Sequence, residues 1–165
     1  MRLVDLRDGG GGFIDANIFI YHHGGRSAAC KAFLERCARR ELVGYTSTSV
    51  LAEVLHRLMV AEAIQTGLVT ARTAVKQLKE DPELVKRLTK YHEDVGKLTE
   101  INLVILGLTV EILRQSKNIR QREGLLTNDS LVVAAMLEQG LTKLATANGD
   151  FDGVAGLEIY EPGDL

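Results

Sequence analysis

Cysteine is scarce: the chain of 165 residues has two, too few and too plainly placed for a metal centre. Cys30 and Cys37 are seven apart with Phe33 and Leu34 between them, which is one apolar helix face, so both read as buried core thiols. Neither zinc-ligand nor redox spacing is present. The four histidines are equally unpromising as ligands, since His22 and His23 are adjacent at the end of a strand and His56 and His92 are scattered. No apolar run approaches the roughly 20 residues that span a bilayer. Residues 1–6 also lack the long apolar stretch of a signal peptide, so the expectation is a cytoplasmic protein with no membrane partner. Excess charge is missing too: 20 Lys and Arg against 22 Asp and Glu give a net charge of −2, which argues mildly against nucleic acid. A nuclease of this composition must concentrate its cations locally. Arg26, Lys31, Arg57, Arg120 and Arg122 are the candidates, although scattered cations usually just solvate a surface.

What remains is an ordinary globular composition, 45% hydrophobic and 25% charged, with no repeat and no linker. One domain with a proper core is the expectation. Residues 1–8 precede the tetrad Gly9 to Gly12, which does not hold regular structure cheaply. Residues 1–12 therefore read as a flexible glycine-rich leader, with residues 13–165 as the folded domain. The other reading of the leader is an extra edge strand using Leu3, Val4 and Leu6.

Strand and helix signals then alternate. Residues 13–21 read as a buried strand, rich in Phe and Ile. Ser27 suits the cap of a helix running to about Arg40, and residues 42–46 read as a short strand. Residues 46–49 offer caps for a helix with Val50, Leu51, Val54 and Leu58 on one side. Residues 61–100 are helical and more polar, with Pro82 suited to a first turn. A strand at 101–106, a helix at 110–118 and a loop at 120–124 follow. The apolar run 131–137 has no polar face and reads as a central buried helix stopped by Gly140. Strands at 143–147 and 157–160 close the chain. The pattern predicts a three-layer α/β/α domain with a mainly parallel sheet.

Ligands in such folds sit at the carboxyl ends of the strands. Four acids fall at that edge: Asp15 on the first strand, Glu53 one turn into the helix after the second, Asp129 opening the buried helix, and Asp150 after the penultimate strand. Each has a plainer explanation. Asp15 suits a strand end and a cap, Asp129 suits the positive end of a helix dipole, and Asp150 and Asp152 are ordinary turn residues. Glu53 is harder to explain that way, because Val50 three residues before it rules out a capping box. As a set at one edge the acids favour function. Clustered carboxylates repel and take up protons unless a cation holds them. Oxygen-only ligands suit Mg²⁺ or Mn²⁺, an ion that activates water and neutralises a phosphodiester's developing charge.

At these residues the chain resembles the PIN domain family. Phe13-Ile14-Asp15-Ala16-Asn17-Ile18-Phe19-Ile20-Tyr21 is similar to the family's opening motif, and Thr48-Ser49-Val50-Leu51-Ala52-Glu53-Val54 to its second. Leu125-Leu126-Thr127-Asn128-Asp129-Ser130 with the apolar run after it resembles the third. Leu144-Ala145-Thr146-Ala147-Asn148-Gly149-Asp150-Phe151 resembles the fourth. The resemblance covers residues 13–162 and is closest to VapC-type toxins of prokaryotic toxin–antitoxin pairs. It implies a Mg²⁺- or Mn²⁺-dependent ribonuclease, a homodimer, and a small antitoxin partner. It also implies that Asp15, Glu53, Asp129 and Asp150 bind the metal, with Asn17, Ser49 and Asn148 as supporting polar groups. Two departures stand out: Asn148 occupies a place where family members often carry Asp, and the leader with its four glycines is unusual.

Other readings remain open on sequence alone. One is a PIN ribonuclease of RNA processing or turnover without an antitoxin. A haloacid-dehalogenase-type phosphatase wants a second Asp two residues after Asp15, where this chain has Asn17. A receiver-type module wants a Lys just after the last core strand, and Lys143 comes before it.

Overall fold

The computed structural model describes residues 1–7 and 9–165. Among these residues five strands form one sheet: β1 (Gly11–Ile14), β2 (Val43–Ser47), β3 (Leu103–Leu106), β4 (Lys143–Ala145) and β5 (Glu158–Tyr160). Their order is β3-β2-β1-β4-β5, and every neighbouring pair is parallel. The chain steps outward from β1 to β3 and then returns to the other side of β1. Crossovers between parallel strands are right-handed, so the direction of stepping decides which face a connection covers. One face takes α1 (Ala16–His23), α2 (Ala28–Ala38), α3 (Thr48–Gln65), α4 (Ala74–Glu80), α5 (Pro82–Lys86) and α6 (Lys90–Thr99). The reversed connection puts α7 (Val110–Glu123) and α8 (Thr127–Glu138), packed on each other, over the opposite face. This is the expected three-layer α/β/α arrangement. The reversal also opens a crevice beyond the carboxyl ends of β1 and β4, where no connection passes. Among the described residues no helix is long and apolar enough to cross a membrane.

The first strand is shorter than the apolar run 13–21 suggests. It ends at Ile14, where Asp15 makes a last ladder bond to the Ala145 carbonyl at 3.0 Å. Asp15 then caps α1 with an extended backbone (φ −80°, ψ 159°), its side chain accepting from the Ala16 amide. Residues 16–21 are therefore helix, and His22 and His23 close that helix rather than a strand. A run that is apolar all round fits a buried strand and a buried helix equally, and the cap decides between them.

The leader is also corrected. Leu3 and Leu6 are buried in the main core, at 1% and 3% exposure. The Leu3 amide donates to the Glu161 carbonyl at 2.8 Å, and Arg2 bridges to Glu161 in parallel, extending the sheet edge for one residue beyond β5. Two glycines of the tetrad, Gly11 and Gly12, lie inside β1. A Cβ on Gly11 would stand 3.1 Å from the Tyr45 ring and 3.2 Å from the Val43 carbonyl, so close packing against β2 is what selects glycine there. Close packing selects Gly44 on β2 in the same way. A Cβ on it would meet Leu103 at 2.7 Å, Ile14 at 2.9 Å and the Cys37 thiol at 3.2 Å. Both cysteines are indeed free and buried, and burial pushes the Cys37 thiol up to about 11.

A smaller core of Ala63, Val69, Ala74, Leu78 and Leu88 lies among α3 to α5. Glu62 on α3 fastens the next helix to it. Its carboxylate accepts from the amides of Thr89, Lys90 and Tyr91 at 3.1, 3.2 and 2.8 Å, the first turn of α6, which has no cap from its own residues. Glu62→Ala leaves those amides without an acceptor and should cost about 1–2 kcal/mol, the size of a lost N-cap. Urea unfolding measures it. An unchanged midpoint would show that water replaces the carboxylate at no cost.

Candidate active site

The crevice at the sheet reversal holds a cleft of about 180 Å³ lined by Asp15, Ala16, Asn17, Ile20, Glu53, Arg57, Asp129 and Asn148. Its floor is Asp15, just past the end of β1, its walls come from α1, α3 and α8, and one corner from the loop after β4. A wider groove of about 460 Å³, lined by Glu53, Leu126, Thr127, Asn128 and Asp129, continues from it along the start of α8.

Asp15 is the most constrained group. It is 8% exposed, and its Oδ1 accepts from the Ala16 amide at 2.7 Å. Its Oδ2 accepts from Asn17 Nδ2 at 2.6 Å and from the Thr146 hydroxyl at 2.7 Å. Burial raises its pKa above the usual carboxylate value, and the charge of Glu53 adds to that, while the hydrogen bonds from Thr146, Ala16 and Asn17 pull it back. Asn17 also accepts from the Ala147 amide at 2.9 Å, which ties α1 to the β4 loop. Thr146 Oγ1 in turn accepts from the Asn148 amide at 3.0 Å. Asn148 donates to Asp129 Oδ1 at 3.4 Å and accepts from the Asp150 amide at 3.1 Å. One polar chain thus runs from Asp15 through Thr146 and Asn148 to Asp129.

Asp129 is the strained member of the set. Its pKa is raised to about 6, first by burial and then by the charges of Asp15, Asp150 and Glu53. A carboxyl group whose ionisation is opposed by burial and by three neighbouring acids is a site poised for a cation or a proton.

The acids predicted from sequence are not equally placed. Asp15, Glu53 and Asp129 line the cleft together, with Asn17 and Asn148 beside them. Asp150 sits exposed in the turn Gly149–Phe151, outside the lining, and reaches Asp129 only through its charge. Ser49 does not line the cleft either. Its hydroxyl pairs at 2.8 Å with Ser47, whose own oxygen caps α3 by accepting from the Val50 amide. Sequence reasoning passes over Thr146, the fully buried hydroxyl that clamps Asp15. The available signal is a hydroxyl at the end of a buried strand, two residues before Asn148.

Two alternatives lose their structural footing here. Asn17 donates to Asp15 and accepts from a backbone amide, so it is a positioning group and not a stand-in for an acid. Lys143 opens β4 at the amino end, away from the cleft.

The family model of the PIN domain matches residues 12–157. The chain belongs to the PIN domain family. This PIN domain is 30% identical over 151 residues to Ribonuclease VapC2 of Methanocaldococcus jannaschii, a match covering 90% of this chain and 92% of that protein. Among solved structures it resembles VapBC2 from Rickettsia felis bound to a DNA fragment from their promoter. The TM-score is 0.60 at 15% identity, over 92% of this chain and 98% of the other. A toxin–antitoxin complex from Klebsiella pneumoniae superposes with a TM-score of 0.59 at 22% identity, covering 93% and 99% of the two chains. At those identities the likeness to the solved structures is one of fold.

Proposed function

We propose that this PIN domain is a divalent-metal-dependent endoribonuclease, a cytoplasmic homodimer acting as the toxin of a toxin–antitoxin pair. The observation that carries the reading is the convergence of Asp15, Glu53 and Asp129 on one cleft, with Asp129 raised to about 6 by burial and then by its acidic neighbours. The ribonuclease name of the relative from Methanocaldococcus jannaschii and the toxin–antitoxin structures of the same fold support it.

The donor set fits a hard cation. Every polar group lining the cleft except Arg57 offers oxygen, and no Cys or His stands among them. Among the described residues no three acidic or imidazole side chains are close enough to cage an ion as they stand. Asp15, Glu53 and Asp129 would hold Mg²⁺ or Mn²⁺ by being drawn inward, with Asp150 joining from the rim. The ion would supply a more acidic water and charge neutralisation at the phosphodiester. The rest is the work of the chain. Ala16, Asn17 and Thr146 each donate to Asp15, which keeps the carboxylate oriented and opposes its protonation by burial. Asn148 donates to Asp129, and Ile20 supplies an apolar part of the lining.

Cleavage of a panel of structured and single-stranded RNAs tests the reading. Wild type should cut in Mg²⁺ or Mn²⁺, lose activity in EDTA and regain it when Mn²⁺ is returned, and Asp15→Asn should be inactive throughout. Cleavage that survives exhaustive chelation would overturn it. Copurification with the product of an adjacent small gene, and loss of cleavage on adding it, tests the antitoxin.

A further inference from the structure

Of the basic residues singled out in the sequence, four are engaged away from the cleft. Arg26 lies over the Tyr21 ring at 5.0 Å, and Lys31 sits 3.9 Å from Glu35. Arg120 donates to the hydroxyls of Ser116 and Ser130 at 2.9 and 3.0 Å and so bolts α7 to α8, while Arg122 pairs with Glu123. Arg57 is different. It lies on α3 one turn beyond Glu53, lines the acidic cleft, and is exposed. It forms no ion pair among the described residues, although Glu followed by Arg four residues on is the favoured order for a helix pair.

That position answers a charge problem in the cleft. Three carboxylates attract a cation but repel an RNA phosphate, whose approach needs a positive group on the protein side. A guanidinium presents a planar fork of donors that matches phosphate oxygens two at a time, which an ammonium does not. Pairing with Glu53 would cancel that capacity, and the side chain stays out of such a pair. We propose that Arg57 is the phosphate-binding residue of this cleft, gripping the RNA backbone beside the bond to be cut. The proposal rests on the ribonuclease reading above.

The test uses the full-length protein and a short single-stranded oligoribonucleotide that wild type cleaves. Cleavage kinetics are read for wild type, Arg57→Ala and Arg57→Lys. Binding is read by fluorescence anisotropy across a salt series in the inactive Asp15→Asn background, with and without Arg57→Ala. Arg57→Ala should raise KM about tenfold, the loss expected of one charge-assisted contact, with the melting temperature unchanged. Its binding should also lose salt dependence, the slope of log affinity against log salt becoming shallower by about 0.7 for one phosphate contact on a single strand. Arg57→Lys should recover the slope, because the charge is restored, but KM only incompletely, because the fork is not. An unchanged KM and slope in a protein that still cleaves RNA would overturn the proposal and leave the ribonuclease reading standing. A lowered melting temperature with KM and slope unchanged would also overturn it, assigning Arg57 to helix stability. If wild type neither binds nor cleaves RNA, the ribonuclease reading fails and Arg57 loses its assigned role with it.

Discussion

Asp129→Asn should leave the metal-free protein at least as stable as wild type while RNA cleavage collapses. Asp129 titrates at about 6 in the folded protein against an ordinary value of 3.8. Between those pH values the folded state binds the proton more tightly than the unfolded chain does. Stability therefore falls as pH rises through the window, and the full penalty of ionisation stands above it. Asparagine keeps the shape and carries no charge, so the variant should melt higher than wild type at pH 7.5, with the difference vanishing near pH 4. Asp129 is only half-buried and solvent screens its neighbours, so the gain is below about 1 kcal/mol. Added Mn²⁺ should raise the melting temperature of wild type and not of the variant. If Asp129 served only the dipole of α8, Asp129→Asn would instead cost a few tenths of a kcal/mol and spare cleavage. A variant that melts lower yet cuts at the native rate would return Asp129 to that structural role.

Leu3→Ala should destabilise the protein by about 2–5 kcal/mol, the range for emptying a buried leucine site, and deleting residues 1–7 should do more. Leu3 and Leu6 belong to the same core as Phe33 on α2, and the Leu6 carbonyl accepts from the Arg36 guanidinium. Deletion also strips the Glu161 carbonyl of the Leu3 amide and leaves the flank of α2 open. Equilibrium unfolding in urea reads both variants. A midpoint within experimental error of wild type would mean that the segment rests on the core without contributing to it. Because none of residues 1–7 lines the cleft, folded molecules of Leu3→Ala should keep the wild-type KM.

The two segments that the sequence misrepresents fail for the same reason, which is that their state is decided by distant partners. Four glycines in a row argue for a loose tether, yet Gly11 and Gly12 are needed where β1 is pressed between β2 and β4. Nothing within residues 1–12 announces those neighbours. Residues 16–21 are apolar but for Asn17 and the Tyr21 hydroxyl, too little for periodicity to report, and the helix there follows from the Asp15 cap. The helices α2, α3 and α8 are readable because each has a cap, a stripe or an unbroken apolar run of its own. The expected end of α7 at residue 118 falls short. The helix continues to Glu123, where Gly124 in a left-handed conformation (φ 74°) stops it.

The site is legible to the extent that its chemistry is costly. Asp15, Glu53 and Asp129 stand out because carboxylates in apolar surroundings demand an explanation. Thr146 escapes notice because a hydroxyl at a strand end is commonplace, and its clamp on Asp15 is visible only once β1 and β4 are neighbours. Ser49 enters through the family resemblance, and Asp150 through that resemblance and its place after the penultimate strand. The first belongs to the α3 cap and the second to the rim, while Asn148 takes the inner place at that corner.

The clamp between Thr146 and Asp15 joins residues 131 positions apart, and the Asn17 bridge to Ala147 spans 130. A ribosome adding roughly 5–20 residues per second takes on the order of ten seconds to cover that distance. Through that interval the nascent chain carries Asp15 and Glu53 without the strand that completes their cleft. A ribonuclease assembled in this order has no finished site until β4 has followed β1 and α3 off the ribosome.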